Sequence, residues 1–229
     1  MTRNVTVAAN IAPVIGNLNG DNPTFTEKGG AVKLDTGSAV TVTDSDSPDF
    51  TGGNVTVRIT ANGQSQDALG IDTSGTVALS SGTSVGSVVT VGGVAIGVIA
   101  GDGVSGHDLV ITFNSNATPA RVSILVAALT FNNGSSDPGT ASRTVNVSVN
   151  DGHGASSSGN VAVSVAAVND APTATATGRN PAFTIGDAAV QVFSGASFST
   201  VAAGQSLLQL TLTVSGLHDG SSEILTRDG

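Results

Sequence analysis

Almost every apolar stretch of this chain is short, β-branched and alternating. Residues 54–60 (NVTVRIT), 108–113 (DLVITF), 143–149 (RTVNVSV) and 160–168 (NVAVSVAAV) place an apolar side chain at every second position. That period matches a strand with one face in a core and one face in water. Residues 85–91 and 94–99 flank Gly92-Gly93, a dipeptide suited to a two-residue hairpin loop. Shorter runs at 31–34, 39–43 and 76–79 add further strands. One segment breaks the pattern: Thr118-Pro119 offers an N-cap and a first-turn proline ahead of residues 120–129 (ARVSILVAAL), rich in helix formers. The expectation is an all-β chain, a sandwich of about a dozen strands with one short helix laid against a sheet.

Composition narrows the function. Phe is the only aromatic type, since Trp and Tyr are absent, so a stacking platform for single-stranded nucleic acid or for sugars has little to be built from. The net charge of −9 repels phosphate backbones and anionic lipid heads, which argues against nucleic-acid and membrane-surface partners. The acids are fifteen Asp and only two Glu. Helix surfaces favour Glu, whereas turns and oxygen-rich cation sites favour Asp. With no Cys, disulfides, thiolate zinc and a Cys nucleophile are excluded. There is no apolar run of about 18 residues, and residues 1–10 lack the apolar core of a signal peptide. The expectation is a soluble chain without membrane insertion: cytosolic, secreted by a route without such a signal, or a piece of something longer.

An internal repeat organises the chain. Asn10-Ile11-Ala12-Pro13 returns as Asn169-Asp170-Ala171-Pro172, and residues 23–32 (PTFTEKGGAV) return as 181–190 (PAFTIGDAAV). Two matches in the same order and at nearly the same offset belong to one alignment. The division expected is a lead-in strand or tail over 1–9, a complete β-sandwich module over 10–168, and a linker with a partial second β module over 169–229.

Five motifs in order, residues 25–32 (FTEKGGAV), 42–47 (VTDSDS), 128–133 (ALTFNN), 142–152 (SRTVNVSVNDG) and 168–172 (VNDAP), resemble the cadherin-like, Ig-like tandem repeats of giant bacterial surface and RTX-type adhesins. The resemblance covers roughly residues 10–185. It implies a cadherin-like sandwich stacked with adjacent repeat modules of the same chain into a stalk, secreted or at the bacterial cell surface, with calcium setting the stiffness. Two departures stand out. Ile11 occupies the position where the linker pattern has Asp. In the second unit Ile185 replaces the Glu, and no Asp-x-Asp follows, so that unit lacks those ligands.

The acidic loop carries the candidate chemistry. Asp44, Asp46 and Asp49 lie within six residues after a strand, and three carboxylates so close repel one another unless solvated or bridged. Calcium bridges such groups with six to eight oxygens. Glu27, at the end of an early strand, adds a longer reach. The resemblance implies that Asp151, in the Asn150-Asp151-Gly152 loop, and the linker residues Asn169 and Asp170 complete the set. The alternative is a solvated loop in which Asp44 and Asp46 form Asx-turns.

Other motifs stand in the wrong context. Gly101, Gly103 and Gly106 spell GxGxxG, but the next segment is a strand rather than the helix that a pyrophosphate needs. Ser84 is the centre of a GxSxG followed by another strand, not by the helix of a nucleophile elbow. His107, His153 and His218 lie singly in Gly/Asp-rich loops without the short His spacing of a zinc site. No residue is expected to be catalytic. The expected function is a non-enzymatic extender rigidified by calcium. Its alternative is a module that self-associates through open strand edges or grips a host or cell-surface ligand with its loops.

Overall fold

The computed structural model describes residues 9–213, 215, 222 and 224–226. The lead-in expected before residue 9 and the loop holding His218 lie outside the described residues. The chain divides into two compact units, Met1–Asn169 and Asp170–Gly229.

The described part of the first unit is an all-β sandwich with one helix. Its elements are β1 (Val14–Gly16), β2 (Thr24–Thr26), β3 (Val32–Lys33), β4 (Thr41–Thr43), β5 (Asn54–Ala61), β6 (Asp67–Ile71), β7 (Val77–Leu79), β8 (Val88–Val91), β9 (Val94–Asp102), β10 (Leu109–Phe113), α1 (Pro119–Ala127), β11 (Leu129–Asn133), β12 (Arg143–Asn150) and β13 (Ser156–Ala166). An eight-stranded sheet runs β2-β13-β12-β5-β10-β9-β8-β7, and a three-stranded sheet runs β3-β11-β6. β1 and β4 form a two-stranded ribbon. All ladders are antiparallel except β2 on β13, where Phe25 lies beside Val165.

Alternation explains the layering. On β5 and β12 the buried apolar residues are Val55, Val57, Val145, Val147 and Val149, with Thr, Asn or Ser between them within each strand. The register places Val147 opposite Val57 and Val149 opposite Val55, so the apolar faces coincide across the ladder. Phe25 of the large sheet meets Phe131 of the three-stranded sheet edge-on, at 5.6 Å between ring centres and 82° between planes. That T-shaped pair bridges the layers, an arrangement worth about 0.5–1.5 kcal/mol beyond area burial.

The helix starts where expected, with Thr118 at the N-cap position and the proline just inside. Thr118 is extended and makes no side-chain capping bond. The helix ends earlier than expected, at Ala127, because Leu129 already belongs to β11 and pairs with Ile71. Val122, Leu125 and Val126 face the core. From the same helix the Ser123 hydroxyl accepts a bond from the Val42 N–H (2.7 Å) and lies 3.2 Å from the Val42 carbonyl. A side chain thus takes the place of a neighbouring strand on the outer edge of β4.

In the second unit β14 (Thr173–Gly178) pairs antiparallel with β15 (Phe193–Ser199).

Candidate functional site at the two poles

The first unit takes in its chain at one end of the sandwich and releases it at the other. At the leading pole, β4 ends at Thr43 and the chain turns through Asp44. The Asp44 Oδ1 accepts the N–H groups of Asp46 (3.1 Å) and Ser47 (3.0 Å), an Asx-turn. Its other oxygen, Oδ2, is buried and meets no hydrogen-bond donor. Asp46 Oδ2 accepts the N–H of Ile11 at 3.0 Å. Asp151, in the hairpin between β12 and β13, is fully buried. Its Oδ1 accepts the N–H groups of His153 (2.7 Å) and Ala155 (3.2 Å), and its Oδ2 accepts the Asn10 side-chain amide (2.7 Å). The incoming segment Asn10-Ile11 is therefore fastened by two carboxylates. Burial opposes ionisation of Asp151, but the bonds from Asn10, His153 and Ala155 outweigh it and hold its pKa below the usual carboxylate value.

Backbone packing fixes this pole. A Cβ on Gly53 would stand 2.1 Å from the Asn150 carbonyl oxygen, and one on Gly152, where φ is 81°, would stand 2.1 Å from that of Thr51. The loops before β5 and after β12 are thus stacked main chain on main chain, an approach that needs glycine at both positions. Asp49 caps Thr51 through its N–H (3.1 Å) and its hydroxyl, and these two bonds lower the Asp49 pKa.

At the trailing pole, β2 ends beside the end of β13, and the Glu27 N–H donates to the Ala166 carbonyl at 2.9 Å. Glu27 is only 2 % exposed. Its Oε2 accepts the Val168 N–H at 2.9 Å, holding the outgoing segment. Its Oε1 is buried without a hydrogen bond, and the Lys28 ammonium stands 3.4 Å away.

The six residues singled out from the sequence therefore do not form one cluster. Asp44, Asp46 and Asp151 lie at the leading pole, linked through Asn10 and Ile11 rather than converging on one point, and Glu27 lies at the other. The two poles are separated by β13, whose eleven residues span about 33 Å at the usual strand rise. One ion cannot reach both. The reason is topological: Glu27 follows β2, which runs parallel to β13, whereas Asp151 precedes β13. Asn169 closes the first unit and Asp170 opens the second. The candidate ligands are all oxygen, and at the leading pole the Asp44 Oδ2 is buried without a hydrogen bond, which suits a hard cation such as calcium; Glu27 Oε1 already has the Lys28 ammonium beside it. Among the described residues no three His, Cys, Asp or Glu side chains converge as a ready metal cluster.

Sequence reasoning missed a buried polar knot. Arg143 is fully buried and donates to Asp67 (3.2 Å from Nε), to Gln64 (2.6 Å) and to the carbonyls of Ala141 (2.6 Å) and Gly139. Asn133 donates to the other Asp67 oxygen at 2.6 Å. The signal was present in the alternation of β12, which puts Arg143 on the same face as Val145, Val147 and Val149. A charge at an inward position demands a buried partner.

The remaining motifs fall in turns. Gly103 and Gly106 lie in the hairpin loop joining β9 to β10, and Ser84 lies in the turn before β8. His107 Nδ1 is 3.3 Å from an exposed Asp102 carboxylate. No helix of the described residues is long and apolar enough to cross a membrane. The fold and its poles define the class: an all-β sandwich with an acidic, chain-gripping site at each end. Comparison of the chain with protein-family models, curated proteins and solved structures finds no match.

Proposed function

We propose that the first unit is a non-catalytic extender module of a tandem-repeat chain, secreted or displayed on a bacterial surface, and that calcium stiffens it. The observation that carries this reading is the path of the chain. It arrives at one pole pinned by Asp46 and Asp151 and departs from the opposite pole pinned by Glu27. A module gripped at both ends and traversed lengthwise transmits tension along its strands and adds length with each copy. At the leading pole Asp44, Asp46 and Asp151 are the residues that would hold calcium. The ion would supply positive charge for the donor-free Asp44 oxygen and tie the incoming segment to the β4 and β12–β13 loops.

Calorimetric unfolding with millimolar calcium and again with chelator tests this. A site filled at about a hundredfold excess over Kd adds about 2.7 kcal/mol of stability. The expected result is a clear upward shift of the transition, abolished in the double variant Asp44→Ala/Asp46→Ala. A transition that ignores calcium overturns the stiffening mechanism.

A further inference from the structure

The chain contains three Asn-Gly pairs, Asn19-Gly20, Asn62-Gly63 and Asn133-Gly134. In such a pair the glycine nitrogen can attack the asparagine side-chain carbon, because no Cβ shields it. Two of the three nitrogens are occupied. The Gly20 N–H donates to the Asn160 carbonyl at 3.2 Å, and the Gly134 N–H donates to the Gln66 carbonyl at 3.0 Å. The side chains of those asparagines are also held: Asn19 Oδ1 accepts the Asn160 N–H, and buried Asn133 bonds through its amide to Asp67 and through its oxygen to the Ser135 N–H.

Asn62-Gly63 differs on each point. Among the described residues no acceptor meets the Gly63 N–H. Both residues are exposed and line an open cleft of about 460 Å³, so water reaches them. Asn62 sits at φ 56°, and a single bond, from its Nδ2 to the Ser142 carbonyl (2.8 Å), restrains its side chain.

We infer that Asn62 is a site of spontaneous covalent modification, with water as the only co-reactant. Gly63 N bonds to Asn62 Cγ, the Cγ–Nδ2 bond breaks, and Nδ2 departs as ammonia with the proton from Gly63. Water then opens the resulting succinimide. Opening at Cγ gives aspartate, and opening at the main-chain carbonyl gives isoaspartate with the backbone rerouted through the side chain. Either product lacks the amide that reached Ser142, and either adds one negative charge to the β5–β6 turn. Isoaspartate also lengthens the main chain there by one carbon. The turn lies two residues from Gln64, which anchors Arg143, so the modification loosens the polar knot from its solvent side.

The test is peptide mapping by mass spectrometry during incubation of the folded protein in mildly alkaline buffer, with a parallel sample in denaturant. In the folded protein residue 62 converts about tenfold or more faster than residues 19 and 133, the factor expected when each competitor must first break its nitrogen's hydrogen bond. In denaturant the three converge. The Asn62→Gln variant stays unmodified over the same period. Conversion of residue 19 or 133 at an equal or greater rate in the folded protein overturns the inference. So does an unmodified residue 62 after the denatured sample has fully reacted.

Discussion

In the first unit, residues 23–32 (PTFTEKGGAV) supply β2, the turn carrying Glu27 and the start of β3, whereas residues 181–190 (PAFTIGDAAV) form no strand. Phe25 is 0 % exposed and its counterpart Phe183 is 59 % exposed; Glu27 is 2 % exposed and Ile185 is 91 %. The two units nevertheless open alike, since β1 pairs antiparallel with β4 and β14 with β15. An opening ribbon thus recurs next to the repeated segments, and the burial does not recur. What buries Phe25 is Phe131 and the β13 ladder at residues 164–166, both far downstream in the first unit. A strand of three residues has little stability of its own; it persists because a larger sheet receives it.

The sharpest way to break this comparison is to truncate both aromatics. Phe25→Ala is expected to cost about 3–5 kcal/mol through lost burial and the cavity left behind. Phe183→Ala is expected to stay within about 0.5 kcal/mol, as for an exposed side chain. Unfolding followed by calorimetry checks both, since no Trp or Tyr is present for fluorescence. Equal losses would mean that the second unit is packed as tightly as the first.

Arg143→Ala comes next, with a loss of about 3 kcal/mol or more, because it strands the Asp67 carboxylate in the core. A double variant that replaces Arg143 and Asp67 together by apolar residues should recover part of that loss. If the single variant melts with the parent protein, the knot contributes nothing to the core.

A smaller effect, about 1 kcal/mol, is expected for Ser123→Ala, which leaves the outer edge of β4 without its hydroxyl partner. Ser123→Thr keeps the oxygen and should lose less. Calorimetric transitions that rank the two variants the other way would remove the strand-edge role.

The smallest effect is acid sensitivity. Asp151 has a lowered pKa, and Asp72 is brought down to about 2 from 3.8 by bonds from Ser74 and by the Lys33 ammonium. A carboxylate with a depressed folded pKa adds stability that is complete above its unfolded value and is lost as pH falls through its folded value. The thermal midpoint should therefore fall on acidification from about pH 4 towards pH 2, and Asp72→Asn should flatten the lower part of that curve. A midpoint indifferent to pH across this window would contradict the assignment.

Several elements were legible in the sequence because their signals are local. The alternation at 54–60, 143–149 and 160–168 lies within β5, β12 and the end of β13 with its outgoing segment, and Gly92-Gly93 joins β8 to β9. β6 was not legible. Its sequence, DALGI, interrupts the alternation with Asp67 and Gly70. Both exceptions have tertiary causes: Asp67 answers Arg143, and a Cβ on Gly70 would stand 2.9 Å from the Thr130 hydroxyl. The helix end was misplaced for a related reason. Residues 127–129 are good helix formers, yet the ladder between Leu129 and Ile71 outweighs a propensity of a few tenths of a kcal/mol.

For the candidate site, Asp44 and Asp46 stood out as acids in a loop and Glu27 as an acid at a strand end, while Asp151, Asn169 and Asp170 were implied only by the family resemblance. The sequence had no means of dividing them between two poles. That division depends on β2 lying parallel to β13, a pairing between residues 24–26 and 164–166. Periodicity and turn chemistry are properties of neighbouring residues, so the sequence alone determined the all-β character, the hairpin at Gly92-Gly93, the position of the helix start and the internal repeat. Which strand lies beside which, which copy of a repeated phenylalanine is buried, and which carboxylates share a pole were decided only in the tertiary structure. Those outcomes depend on contacts between segments remote in the chain, formed where apolar faces and buried charges find partners.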